Sequence, residues 1–492
     1  MASFLSNLFK LTTGTMIAQV ISILLVPIVT RLYSPEYFGV AQLFLSIAAL
    51  IVVISSLSYH FAIMVSEKDE DSMNIFALSV VCILGVSTVS GAVFTGFADR
   101  FAEILNAPLI ADYLILLPLF VIVNSLFLIL NEWFSRKVRY GVLAGGIVVS
   151  TVSTRAFQIG GGLVLASPLG LILGSVVGFG LADLFMLRNL KQDMSLIRSV
   201  TLQRMRDLAV RYRNFSFYGS AGSLANSLSW ELPAFMLAFF FNPAVVGYYA
   251  LAVIAVRMPM TMVGTAVSQV FFQKASEEKN LTGGVQGVVR EIHTRLISVG
   301  IFPFIVFMIL SEDLFTFIFG ADWLTAGTYA RILAPWFFAV FLISPISSLF
   351  AVLERQRAYL AFEVMTLCTW TLIFLAGGTY GNPLVTLTLF SIGGVLLWGS
   401  KSVYLIRESG AGFRGSAISL MRHLLISIAV SLPLLVGVFL DLPFLLLIVV
   451  AGVTAVTYYL IIFFTDTLVR RELMGMLGSY VPAKHIDWIR RL

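Results

Sequence analysis

The apolar residues of this chain fall into blocks of about 20, set apart by short polar clusters, and that is the length at which a helix crosses a hydrocarbon core about 30 Å thick. Lipid offers the backbone no hydrogen-bond partner, so a succession of such blocks folds as helices that satisfy their own peptide groups. Composition agrees, with 59% of residues hydrophobic and 12% charged, against about 25% charged in an ordinary soluble domain. The blocks predict helices near 11–31, 38–64, 73–98, 109–131, 141–165, 168–188 and 216–241. They continue near 244–270, 292–311, 325–352, 358–377, 383–405, 422–440 and 443–465. The expected fold class is an all-α polytopic membrane protein with about 14 transmembrane helices, each boundary good to about 2–4 residues.

The first block, Leu11 to Thr30, follows Lys10 and is too long for the core of a cleaved signal, so it reads as the first crossing. Cys82 and Cys368 both fall inside predicted helices, where they read as packing residues and not as a disulfide or metal pair.

The connections alternate in basic content. One set carries Lys10, Lys68, the Arg136-Lys137-Val138-Arg139 run, the arginines of 188–213, Lys274, Lys279, Arg290, Arg295, Arg355, Arg357, Lys401 and Arg407; the other carries only Arg31, Arg100 and Arg331. Because Lys and Arg are retained on the cytoplasmic side, this asymmetry predicts that both termini are cytoplasmic. The net charge of +6 is explained by that orientation, and nucleic acid is not an expected partner, since the basic residues lie between apolar segments and not along one soluble face.

An internal repeat divides the chain. Ser34-Pro35 followed by Gly39 after the first helix matches Asn242-Pro243 followed by Gly247 after the seventh, and Pro118 pairs with Pro335. The exit Arg136-Lys137-Val138-Arg139-Tyr140 likewise resembles Arg355-Gln356-Arg357-Ala358-Tyr359. Two pseudo-symmetric six-helix lobes, 1–188 and 216–405, account for it, followed by two additional helices and a cytoplasmic tail over 406–492. Residues 189–215 form the basic cytoplasmic linker between the lobes. Its apolar residues Leu196, Val200, Leu202, Met205, Leu208 and Tyr212 recur at helical spacing among arginines, as in an in-plane surface helix. A solvated linker is the alternative.

No constellation for catalysis is present in the sequence. His60, His293, His423 and His485 are dispersed, and no His-Glu-x-x-His or paired-cysteine motif occurs, so no metal or cofactor is expected and the chain does not read as an enzyme. Gly394 to Gly399 before Ser400-Lys401-Ser402 only faintly resembles a phosphate-binding loop, because it lies within an apolar helix. The acidic run Glu67-Lys68-Asp69-Glu70-Asp71 reads as a solvated turn, and Gly170, Gly174 and Gly178 as a packing stripe. Pro27 and Pro233 occupy corresponding places in the two lobes and suit paired hinges or static kinks.

Ionisable residues within apolar helices carry more information, since a charge facing lipid costs at least about 2.5–3.5 kcal/mol and so faces protein or water. Arg155, Glu231 and Arg257 meet that description, with Arg31 at an outer mouth and His60 near a helix end. Asp183 and Glu363 lie close to the cytoplasmic boundary, where snorkelling is easy. Glu231 and Arg257 suit either a functional site or a structural ion pair between the seventh and eighth helices.

The segment Arg31-Leu32-Tyr33-Ser34-Pro35-Glu36-Tyr37-Phe38-Gly39, with the twofold repeat, resembles the polysaccharide transporter branch of the multidrug/oligosaccharidyl-lipid/polysaccharide (MOP) exporter superfamily, in particular its O-antigen-type flippases. The resemblance covers nearly the whole chain as a pattern of helices and turns. It implies a V-shaped pair of lobes around a cleft lined by helices 1, 2, 7 and 8, alternating access, and a polyprenyl-diphosphate-linked oligosaccharide moved from the cytoplasmic to the outer leaflet. Arg257, Arg155, Arg31 and His60 are then the substrate-binding candidates and Glu231 the ion-coupling one, with a proton or sodium ion as the coupling ion. Arg155 alone falls outside the four cleft helices. A peptidoglycan lipid II flippase or a drug/cation antiporter of the same superfamily remains open, and a membrane polymerase or glycosyltransferase is the rival from another class.

Overall fold

The computed structural model describes residues 2–165 and 167–466, so the basic C-terminal tail expected to be cytoplasmic lies outside the described residues. Those described are helical almost throughout. The chain opens with α1 (Ala2–Leu32), α2 (Pro35–Ser55), α3 (His60–Val65), α4 (Asp69–Gly96) and α5 (Ala98–Ile104). A 3₁₀ stretch, Pro108–Leu116, leads into α6 (Leu117–Arg136), followed by α7 (Tyr140–Val164) and α8 (Pro168–Leu190). The linker holds α9 (Met194–Ile197) and α10 (Leu202–Arg211), and a π-helical turn, Phe215–Gly219, opens onto α11 (Ser220–Phe240). Then come α12 (Pro243–Thr282), α13 (Gln286–Phe319), α14 (Leu324–Ile343), α15 (Leu349–Val352) and α16 (Gln356–Thr379). The last are α17 (Pro383–Glu408), α18 (Phe413–Phe439) and α19 (Phe444–Thr465).

Among the described residues, 12 helices are long and apolar enough to cross a membrane. The expected seventh and eighth helices are also present as α11 and α12, although neither is among those 12. In α11 the serines 220, 223, 227 and 229, with Asn226 and Glu231, dilute the apolar residues. The expected helix 38–64 is corrected: α2 stops at Ser55, and Leu57 and Ser58 take left-handed backbone conformations (φ 48° and 57°) before α3 resumes at His60. Neither residue is a glycine, so the break costs about 1–3 kcal/mol per residue and is held by the surrounding packing.

Helix starts follow local chemistry. Ser34 caps α2, its Oγ accepting from the Tyr37 N–H at 3.3 Å, with Pro35 at the first turn where its missing N–H is not needed. Asn242 plays the same part for α12, its Oδ1 accepting from the Val245 N–H at 3.1 Å.

The chain divides into two compact units. The first comprises Met1–Ala252, Phe315–Ala326 and Glu363–Phe390. Within it α7 and α8 pack through small residues, as helices in lipid must when hydrophobicity gives them no reason to associate. A Cβ at Gly170 would lie 3.0 Å from the Gly161 Cα, one at Gly174 3.0 Å from the Thr154 carbonyl oxygen, and one at Gly178 2.9 Å from the Ser150 carbonyl oxygen. The stripe is therefore a packing device, as its spacing suggests.

The second unit comprises Val253–Leu314, Gly327–Phe362 and Ser391–Leu492. Phe302 stacks on Tyr458 at 4.7 Å, and the Tyr458 hydroxyl donates to the Ser298 carbonyl at 2.8 Å, which ties α19 to α13. Lys401 sits in unbroken α17 with its Nζ 4.8 Å from the Trp398 ring, 5.2 Å from Tyr359 and 5.6 Å from Phe350. That is a cation held by aromatic faces, not a phosphate-binding loop.

Cys368 is exposed on α16 and packs less than expected, whereas Cys82 is half-buried on α4. The acidic run is solvated at Glu67, Lys68 and Glu70, but its two aspartates are paired at the start of α4. Asp69 receives Arg136 at 3.1 Å and Lys137 at 2.5 Å, Asp71 receives Arg204 at 2.7 Å, and Asp71 itself is buried.

Candidate functional site

In the first unit, α1 and α7 lie side by side, and Arg155 reaches from α7 to α1. Its Nη2 donates to the Ser22 Oγ and its Nη1 to the Gln158 Oε1, both at 2.8 Å. Gln158 is itself fixed, since its backbone carbonyl accepts from the Tyr33 hydroxyl at 2.6 Å and its Nε2 donates to the Leu171 carbonyl at 3.3 Å. The guanidinium is thus held in place by neutral groups, and among the described residues no carboxylate compensates its charge. A fixed cation with neutral neighbours is what an anionic group needs for a directed, bidentate contact. Ser22 and Gln158 had no signal of their own in the sequence.

Arg31, at the last turn of α1, is exposed and donates from Nη2 to the Phe317 carbonyl at 3.0 Å, capping the end of α13. The same segment buries Trp323, whose Nε1 donates to the Thr30 carbonyl at 2.8 Å. Phe38 and Tyr248 stack edge-on against that indole at 5.4 and 6.1 Å. Along α1, Ser22 and Arg31 are separated by about 13 Å of rise.

The two repeat motifs meet. A Cβ on Gly39 would collide with the Pro243 carbonyl and lie 2.9 Å from the Gly247 N, and a Cβ on Gly247 would collide with the Pro35 carbonyl and lie 3.1 Å from the Gly39 N. The N-termini of α2 and α12 therefore cross backbone to backbone, each glycine admitting the other motif's proline carbonyl. No side chain fits there.

His60 begins α3, half-buried, with its Nδ1 2.6 Å from the Ser56 Oγ and its ring 4.1 Å from that of Phe61. Ser58, in the broken stretch, hydrogen-bonds through its Oγ to the Ser220 Oγ at 3.0 Å, joining the break to the start of α11. Glu231 is half-buried on α11, two residues before the buried Pro233. Arg257 is exposed on α12 and belongs to the second unit. Arg155, Arg31, His60 and Glu231 share the first unit, on four different helices.

Asp183 departs from expectation. It does not snorkel: it is 3% exposed, and neither carboxylate oxygen has a hydrogen-bond partner. The sequence marks it only as a carboxyl near a helix end.

Taken with its crossing helices, the fold is that of the MOP exporters. A structure titled "Lipid II flippase MurJ, inward closed conformation" aligns over 92% of this chain and 98% of its own, at 13% identity and a TM-score of 0.69. Inward-facing and outward-facing structures of a multidrug resistance MATE family transporter of the MOP superfamily align over 82% and 84% of this chain. They cover 98% and 96% of their own, with identities of 14% and 15% and TM-scores of 0.61 and 0.57. No curated protein sequence matches at a significant level. Residues 28–327, more than half of the chain, match the family described as "Polysaccharide biosynthesis protein". The chain belongs to that family, the polysaccharide transporter branch of the superfamily.

Proposed function

We propose that this protein is a flippase that carries a polyprenyl-diphosphate-linked oligosaccharide, an O-antigen, capsule or exopolysaccharide repeat unit, from the cytoplasmic to the outer leaflet. The observation that carries the reading is Arg155, fixed at 2.8 Å by two neutral partners with its charge left for an anion. A diphosphate and sugar hydroxyls cannot enter hydrocarbon without partners, and a cationic, wet path supplies them while the lipid tail stays in the bilayer. Arg257, Arg31 and His60 are assigned to the same path, and Glu231 to coupling by a proton or sodium ion.

The reading places both termini in the cytoplasm of a bacterial inner membrane, from the distribution of Lys and Arg, and treats the repeat as two lobes, 1–188 and 216–405, that rock in alternating access. The paired motifs at Pro35–Gly39 and Pro243–Gly247 then act as an outer closure. A diphosphate with about two negative charges would gain roughly 4.6 kcal/mol per 100 mV on moving outward from a negative interior. Peptidoglycan lipid II is the second reading, favoured by the MurJ-like fold, and it presents the same diphosphate chemistry. An organic-cation substrate is disfavoured by the uncompensated arginine.

The test is uptake of a fluorescent polyprenyl-diphosphate saccharide in proteoliposomes. Arg155→Gln should raise the apparent KM by about 10- to 150-fold, the range for a lost hydrogen bond to a charged group. Arg155→Lys should recover part of the activity, and Arg257→Lys should likewise retain activity that Arg257→Ala loses. Unchanged kinetics in Arg155→Gln would overturn the assignment.

A further inference from the structure

We propose that the connection between α8 and α11 carries a membrane-surface contact in which the free side of α10 seats among anionic phospholipid headgroups.

α10 has three distinct sides. One is buried on the first unit through Met205 and Leu208, with the Tyr59 hydroxyl donating to the Ala209 carbonyl at 3.2 Å. A second is latched: Arg204 forms a fork on Asp71 at 2.7 and 2.9 Å, and Arg211 reaches Glu67 at 3.2 Å. The Asp71 carboxylate holds the Arg204 guanidinium above its already high pKa. Thr201 caps the helix, its Oγ1 accepting from the Arg204 N–H at 3.2 Å, and Asn74 clamps the entry by accepting from the Thr201 N–H at 3.0 Å and donating to the Ser199 carbonyl at 3.1 Å. These contacts fix how the helix is rotated.

The third side is left over. Leu202, Arg206 and Val210 are four residues apart and so form one stripe, which Arg213 and Phe217 continue toward α11. Leu202 is 82% exposed, Val210 60% and Phe217 73%, and the two arginines between them are exposed with no carboxylate partner among the described residues. Water would suit the arginines but not three large apolar side chains aligned with them. Alternating apolar and basic residues on one side of a helix match the headgroup layer, where the apolar groups enter the acyl boundary and the arginines meet lipid phosphate.

Chain continuity selects the occupant. α8 is long and apolar enough to cross, and α11, polar in its first half and apolar in its second, is the expected seventh crossing, so α10 is tethered at both ends to segments that leave the bilayer, and its free side is cationic where the cytoplasmic leaflet is anionic. The proposal is independent of the transported substrate.

The test uses full-length protein with Cys82 and Cys368 replaced and a nitroxide at Leu202→Cys, Val210→Cys or Gln203→Cys, in nanodiscs of phosphatidylcholine with or without phosphatidylglycerol. Collision with oxygen reports the bilayer and collision with a nickel chelate reports water. Leu202 and Val210 should favour oxygen in phosphatidylglycerol discs, while Gln203 should favour nickel in both. Arg206→Gln with Arg213→Gln should lower the preference by about five-fold per arginine. Nickel-favouring labels at 202 and 210 in anionic discs would overturn the proposal, as would the same oxygen preference in phosphatidylcholine alone or labels immobilised by a bound protein. If the double variant does not fold, the comparison of the two lipid compositions with the arginines intact decides the question.

Discussion

Gly39→Ala should force apart the backbone contact between the starts of α2 and α12. The added methyl would lie 2.6 Å from the Pro243 carbonyl carbon and 2.9 Å from the Gly247 N, and it would collide outright with the Pro243 carbonyl oxygen. Carbon atoms in contact sit about 3.5–4.0 Å apart, so α2 and α12 must separate by about 1 Å or more. The obstruction is backbone on the first turn of a capped helix, and no side chain can rotate aside. Overpacking of this kind costs about 1–3 kcal/mol, which lowers the ratio of clasped to unclasped molecules by about 5- to 150-fold. Gly247→Ala should do the same, because its methyl would lie 2.9 Å from the Pro35 carbonyl carbon. The double change should cost less than the sum, since one separation relieves both collisions. Disulfide yield between cysteines at positions 35 and 243, in a background without Cys82 and Cys368, measures the clasped population. It should fall in each variant together with transport. Gly222→Ala, where nothing lies within 4 Å, is the control and should change neither. Unaltered cross-linking and transport in Gly39→Ala would refute the view that the two motifs must touch during the cycle.

Removing the Arg204 guanidinium (Arg204→Ala) should release α10, seen as faster amide exchange over residues 198–213 with α4 beyond its first turn unaffected; unchanged exchange would show that the apolar side alone holds the helix. Asp183→Leu removes a buried carboxyl with no hydrogen bond, a group that costs about 1–3 kcal/mol, so the unfolding midpoint should rise or hold. A large fall would mean that Asp183 has a partner in another state of the protein.

The apolar blocks make the crossings legible because length and hydropathy are local properties, and the repeated Pro35–Gly39 and Pro243–Gly247 motifs mark the two helix starts that the fold brings together. The break in α2 was hidden because Leu57 and Ser58 are not residues that favour a left-handed backbone, and only tertiary packing holds them there. α11 reads weakly as a crossing because Ser, Asn and Glu residues crowd its first half. Arg155 stood out as a charge within an apolar run, but its partners did not. Ser22 is distant in sequence, and its adjacency depends on α1 lying against α7. The burial of Asp183 is hidden for the same reason: closeness to a helix end says nothing about which neighbours cover the side chain.

Leaflet-resolved protection measures directly whether the protein moves a lipid-linked saccharide diphosphate between leaflets. Purified protein is reconstituted with a fluorescent polyprenyl-diphosphate saccharide supplied to the cytoplasmic-equivalent leaflet, and a membrane-impermeant sugar-modifying reagent samples the opposite leaflet. The saccharide should appear there only with the protein present, faster when the receiving side is made positive, and more slowly in Arg155→Gln at sub-saturating substrate while the variant remains folded. Appearance at the rate of protein-free vesicles, or at an undiminished rate in Arg155→Gln, would contradict the proposed function.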